Sequence, residues 1–340
     1  MSKMNALVKN HPEPGMEVQQ RTVPEPEDDE IRVKVKSVGI DAGIEGLIYD
    51  WHPSKHYLES LLPQIFGHEF AGAVDKVGKN VDELEVGDRV TLEPTIPCQS
   101  CELCRSGNEN ICPSREILHY DRQGGMAEYV TIPARNAYKF DDSLSYDEGM
   151  YLEILGVGVH ALERSTLQLG DKIAVTGPGP VGLGVIAAAK YAGASSITAI
   201  GTEADQEHRL PVAERMGAHQ TEVMGDVDHS EEFDLVFESS GAEQALDFSV
   251  EATRKGGEIV QLGLFHNSGS VSLDVDQLTL SKKSLQTTRG RTHTAWRRTI
   301  NISKEMDLSP IIGPAFDLSD YEKAFQAVKN REGIKIPLHP

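Results

Sequence analysis

All four cysteines of the chain fall within one fifteen-residue stretch, spaced Cys98-x2-Cys101-x2-Cys104-x7-Cys112. Spacings this tight let four thiolates converge tetrahedrally on one ion, at a Zn–S distance of about 2.3 Å. Disulfides or four unrelated core thiols fit less well, because C-x2-C-x2-C strains bridge geometry and the N-terminal MSKMNALVKN has no apolar export core. The expectation is a structural zinc site. Sulfur then fills every position on that ion, so any chemistry must lie elsewhere.

A second pattern, Gly177-Pro178-Gly179-Pro180-Val181-Gly182, reads G-x-G-x-x-G and lies between an apolar strand and an Ala-rich helix. Its glycines let a pyrophosphate approach the backbone, and the helix N-terminus offers N–H groups and a favourable dipole. Further on, Glu203 and Asp205 follow a second strand, where an acidic side chain accepts the adenosine-ribose hydroxyls; Glu203 is the first choice. His208 and Arg209 could instead receive a 2′-phosphate, so the cofactor is NAD or NADP.

Two kinds of element must position these residues. Before residue 150, short β-rich segments such as Ile31–Val38 and Phe70–Val77 alternate with Gly/Pro/Asp turns, as in an antiparallel barrel-like domain. Beyond it strand and helix alternate: strands over Lys172–Thr176, Ser196–Gly201, Phe233–Glu238 and Glu258–Leu262, helices over Pro180–Ala192, His208–Met216 and Ala242–Thr253. That rhythm predicts parallel βαβ units and a doubly wound sheet.

Composition narrows the partners. The chain has 340 residues, 39% hydrophobic and 25% charged, with no run approaching a membrane span. Lys and Arg total 33 against 53 Asp and Glu, a net charge of −20 that repels nucleic acid and anionic membranes. A cytoplasmic protein is expected, and the acidity fits a high-salt habitat or ordinary cytoplasm alike.

His68-Glu69 in Phe66-Gly-His-Glu-Phe-Ala-Gly72, together with Glu153, forms a dispersed metal-capable set. With the four-cysteine lobe and the dinucleotide fold, the Gly-His-Glu motif resembles the zinc-dependent medium-chain alcohol dehydrogenases, over essentially the whole chain. That resemblance implies a GroES-like catalytic domain over residues 1–152 and 297–340, with its zinc lobe at 94–115, and a Rossmann domain over 153–296. It implies two zinc ions per subunit, an active site in the interdomain cleft, and a homo-oligomer, dimer or tetramer. It assigns the catalytic zinc to Asp41, His68 and Glu153, with Glu69 able to enter or leave the shell. Three protein ligands leave one position for a substrate oxygen.

The chain departs from the family where Cys-Gly-Thr-Asp is usual and Asp41-Ala-Gly-Ile-Glu45 stands instead. The haloarchaeal glucose dehydrogenases resemble it in this oxygen-for-sulfur exchange, which should weaken preference for zinc over other divalent ions. The usual relay hydroxyl and histidine are replaced, by Gly43 and most simply Gly46, beside an apparent one-residue insertion. Proton removal then falls to water or to Glu45, Tyr49, His52 or His56. Ile48-Tyr-Asp-Trp51, Ile132–Ala137 and Gly290-Arg291 with Trp296 resemble the threonine and polyol branch. The expected activity is hydride transfer from a secondary alcohol in a threonine, polyol or sugar to NAD(P)+. The alternatives are a glucose-type 1-dehydrogenase and a catalytically silent nucleotide sensor.

Overall fold

The computed structural model describes residues 2–227, 232–265 and 270–340, which form two compact units. The first comprises Met1–Glu153 and Ile311–Pro340, the second Ile154–Pro310. The chain returns to the first unit at Ile311 rather than at residue 297. The reason is the helix His293–Ser303, whose Ala295 packs with Val159 and Ala188 in a core of the second unit.

In the first unit the long strand Glu30–Ile40 is the hub of the larger sheet. It pairs antiparallel with Phe70–Val77, with Tyr129–Pro133 and with the returning strand Ile336–His339. Its alternation of buried valines and isoleucines with exposed lysines is the period-2 signature of a half-buried strand. Lys3–Lys9 carries a smaller antiparallel sheet with Glu17–Thr22 and Gln64–Ile65. Phe66, Phe70, Val33, Val35 and Phe325 belong to the core beneath.

The second unit is a six-stranded, all-parallel sheet. Its spatial order is Gln220–Val223, Ser196–Gly201, Lys172–Thr176, Phe233–Glu238, Thr253–Gln261, Ser284–Thr287. The order reverses between Lys172–Thr176 and Phe233–Glu238, the crevice where doubly wound folds bind ligands. Three boundaries differ from the sequence pattern. The second of the expected helices starts at Leu210, where Pro211 occupies its first turn, instead of at His208. The next spans Glu243–Ala252, and the following strand begins at Thr253, well before Glu258. Among the described residues no helix is long and apolar enough to cross a membrane.

Candidate active site

The cysteine lobe is laid out for one ion. Sγ–Sγ separations are 3.4 Å for Cys101–Cys104, 3.9 Å for Cys101–Cys112 and 4.0 Å for Cys98–Cys104. Four sulfurs held tetrahedrally about 2.3 Å from a zinc ion stand about 3.8 Å apart, so the thiols already outline its polyhedron. The helical turn Glu102–Arg105 begins at Cys101 and puts Cys104 on the same side. Gln99, at φ +60°, bends the chain between Cys98 and Cys101.

The second cluster is assembled by strand pairing. Asp41 follows directly on strand Glu30–Ile40, His68 and Glu69 directly precede Phe70–Val77, and Val38 faces Phe70 in the antiparallel register. Ligand atoms of Asp41, His68 and Glu69 consequently lie within 4.8 Å of one another. The Gly39 amide donates to the Glu69 carbonyl at 2.8 Å. A Cβ on Gly39 would stand 2.9 Å from Glu69 Oε2 and 2.5 Å from Met150 Sδ, so glycine here makes room for the carboxylate. Glu153 is buried on the helix Tyr146–Arg164, and its charge acts on both His68 and Glu69. It stands outside the three-residue group among the described residues.

Three further residues complete the cluster. Asp41 caps a π-helical turn, Ala42–Gly46, its Oδ1 accepting from the Gly43 and Ile44 amides at 2.6 and 3.1 Å. This wide turn drives Glu45 fully into the interior, where Oε1 lies 2.8 Å from His68 Nδ1 and 3.2 Å from His119 Nδ1. The Glu45 contact fixes the His68 ring and leaves Nε2 toward Glu69, 3.9 Å from Oε1. On the far side the fully buried Lys335 ammonium ion-pairs with Glu69 Oε2. His119 and Lys335 carried no signal in the sequence: one is a lone histidine in a loop at φ +72°, the other a lysine in an apolar terminal strand region.

The pocket favours positive charge. Burial would raise the Glu45 carboxyl, yet His68 and His119 hold it well below the usual range. Burial would lower the His68 imidazolium, but Glu45, Glu153 and Glu69 push it up to about 10. Burial pushes Glu69 up to about 7, against the pull of Lys335. A nest of carboxylates around one imidazole is a donor set suited to a divalent ion, with oxygen donors outnumbering nitrogen. The groups weighed for proton removal make the following contacts. Tyr49 stacks on Phe325 at 4.2 Å, His52 caps the turn Pro53–Leu61, His56 stacks on Trp51, and Glu45 is committed to two histidines.

In the second unit, Gly177 has φ +79°, and a Cβ on Gly182 would lie 2.2 Å from the Gly177 carbonyl, so turn and helix close only on glycine. A Cβ on Gly179 would meet nothing within 4 Å, which leaves open space over the N-terminus of Pro180–Ala192. Pro180 and Val181 form the first turn of that helix, and its backbone and the open face suit a pyrophosphate. Beyond Ser196–Gly201, Asp205 is buried: Oδ2 accepts from the Thr202 amide at 2.9 Å and hydroxyl at 2.7 Å, and Oδ1 lies 3.4 Å from Arg209. Glu203 is exposed. With Asp205 engaged in capping, Glu203 is the exposed acid just beyond this strand.

Residues 27–142 match the alcohol dehydrogenase GroES-like domain, and residues 180–305 the zinc-binding dehydrogenase domain. The chain is 32% identical to an L-threonine 3-dehydrogenase of Bacillus velezensis, over 99% of each. It is 32% identical to a D-arabitol-phosphate dehydrogenase of Enterococcus avium, over 93% of this chain and 91% of that protein. The crystal structure of 2R,3R-butanediol dehydrogenase from Bacillus subtilis superposes with a TM-score of 0.87 at 26% identity, covering 99% of both chains. Two domain matches, full-length relatives and the thiol and carboxylate clusters agree: the chain belongs to the zinc-dependent medium-chain alcohol dehydrogenases, in their threonine and polyol branch.

Proposed function

We propose that the protein oxidises a secondary alcohol carried by a small polyhydroxylated or amino-alcohol substrate, with NAD+ or NADP+ as hydride acceptor. The observation that carries this reading is the Asp41–His68–Glu69 cluster, buried except for the half-buried Asp41, with the buried Glu153 acting on its charges. Asp41, His68 and Glu153 would hold the catalytic ion. When bound, zinc supplies Lewis acidity that lowers the alcohol's pKa, and the nicotinamide takes up the hydride. Glu45 orients His68 through Nδ1, as outer carboxylates do for metal-ligating histidines. Gly177, Gly179 and Gly182 give the dinucleotide its backbone cradle, and Glu203 meets the ribose hydroxyls. The proteins it resembles are named for dehydrogenation of L-threonine, D-arabitol phosphate and 2R,3R-butanediol, all small hydroxylated molecules, which supports the substrate reading.

The test is a panel of threonine, butanediol, polyols, polyol phosphates and aldoses with NAD+ and NADP+, following reduced-cofactor absorbance. Turnover of at least one alcohol, abolished by chelation and restored by zinc, is the expected result. Silence across the panel from a zinc-replete protein that still binds dinucleotide would overturn the catalytic reading in favour of a nucleotide sensor.

A further inference from the structure

The ion pair between Lys335 and Glu69 is built into the deepest part of the cluster. Both side chains are buried, Lys335 to 1% exposure and Glu69 to 0%. Lys335 reaches Glu69 because the returning strand aligns Ile336 with Ile40, one residue short of Asp41. Its backbone is pinned on both sides: its amide donates to the Ile311 carbonyl at 3.0 Å, and its carbonyl accepts from the Gly313 amide at 2.7 Å. The ammonium therefore has little freedom to leave. Glu69 has one oxygen on Lys335, while the other faces His68 Nε2 at 3.9 Å and receives no hydrogen bond. A Glu69 oxygen already lies within 4.8 Å of the ligand atoms of Asp41 and His68, so only a small movement would add Glu69 to their ligand set. Asp41, His68 and Glu153 with Glu69 added would make four protein ligands, and a tetrahedral ion so held has no place for substrate.

From this geometry we infer that Lys335 is a positioning residue that anchors Glu69 and so keeps the zinc site open for the alcohol. The inference rests on the reading of Asp41, His68 and Glu153 as ligands. In Lys335→Met, Glu69 is released to the ion: zinc affinity, measured by chelator competition, rises about tenfold or more, the scale on which outer partners tune a metal site. The visible absorption of the cobalt-substituted protein changes with the ligand set, and turnover falls. In Glu69→Gln/Lys335→Met, which removes both charges and spares the fold an unpaired buried one, zinc affinity and the cobalt spectrum return to those of the unaltered protein. Lys335→Arg keeps them throughout. If zinc tightens equally with and without Glu69, or the cobalt spectrum of Lys335→Met is unaltered, Lys335 acts only through its general charge and the inference fails. If Lys335→Met does not fold, the double variant decides, since a large loss of zinc affinity there would show that Glu69 is already a ligand. A protein that takes up zinc only in the cysteine lobe would instead overturn the catalytic site itself.

Discussion

The cysteine lobe and the carboxylate cluster both gather metal-capable groups, and they do so by opposite means. In the lobe all donors are alike, lie within fifteen residues and remain partly accessible except for Cys112. In the cluster the donors come from residues 41, 68, 69 and 153, all but Asp41 are buried, and carboxylates exceed what one ion needs. The surplus is managed by Glu45's two histidines and by Lys335. A closed site needs only enough ligands, whereas an open one also needs groups that hold potential ligands away. Lys335 is absent from any account that counts donors alone.

Removing one donor from each site separates them most sharply. Asp41→Ala should reduce turnover to background while the melting temperature and dinucleotide binding stay nearly unchanged, and Asp41→Cys should recover zinc and part of the rate. Turnover and bound zinc per subunit measured together check this; a full zinc complement and near-normal rate in Asp41→Ala would eliminate the site. Cys101→Ser should do the reverse, releasing the lobe ion and lowering the melting temperature by about 10 °C, the shift for a loss of a few kcal/mol in a domain of this size. Calorimetry with metal analysis reads both quantities. Coincident loss of hydride transfer per folded, zinc-loaded active site would contradict the division of labour.

Smaller effects sharpen the picture. Glu203→Ala should raise the KM for NAD+ about tenfold, the scale of one charge-assisted hydrogen bond, with kcat falling less. Steady-state kinetics with both dinucleotides test it, an unchanged KM pointing to 2′-phosphate recognition beside Arg209. The last effect bears on stability and not on turnover, a pH dependence of the protein lacking the catalytic ion. His68 is raised from 6.5 to about 10, so the stability from its proton is complete below pH 6.5 and lost as pH climbs toward 10. Zinc replaces that proton, so refilling the site should flatten melting temperature across this window. A slope that persists with zinc bound would place its source elsewhere.

What the sequence disclosed follows from how local each signal is. The thiols and the glycine turn are contiguous patterns whose spacing states their geometry, and the strands Lys172–Thr176, Ser196–Gly201 and Phe233–Glu238 were readable as apolar runs between turns. Asp41, His68 and Glu153 needed the family resemblance, because nothing in a chain announces which distant carboxylate will meet which histidine. Lys335 and His119 were illegible even so. Their meaning depends on Ile336 facing Ile40, and on a loop that brings the His119 ring to 4.6 Å from that of His68. The helix start at Leu210 was misplaced because His208 continues the polar pattern, whereas Pro211 governs the first turn.

The π-helical turn Ala42–Gly46 gives this loop a phase as well as a path. Each residue of an α-helical turn advances a side chain by about 100° and of the wider π turn somewhat less, so deleting one would swing Glu45 away from the His68 face without changing any neighbouring side chain's chemistry. Loop length is then itself a specificity-bearing character. Grafts that bring Asp41 into a relative with a thiolate ligand should carry the whole segment from Ile40 to Leu47, since the aspartate alone would arrive without the carboxylate that holds its histidine partner in place.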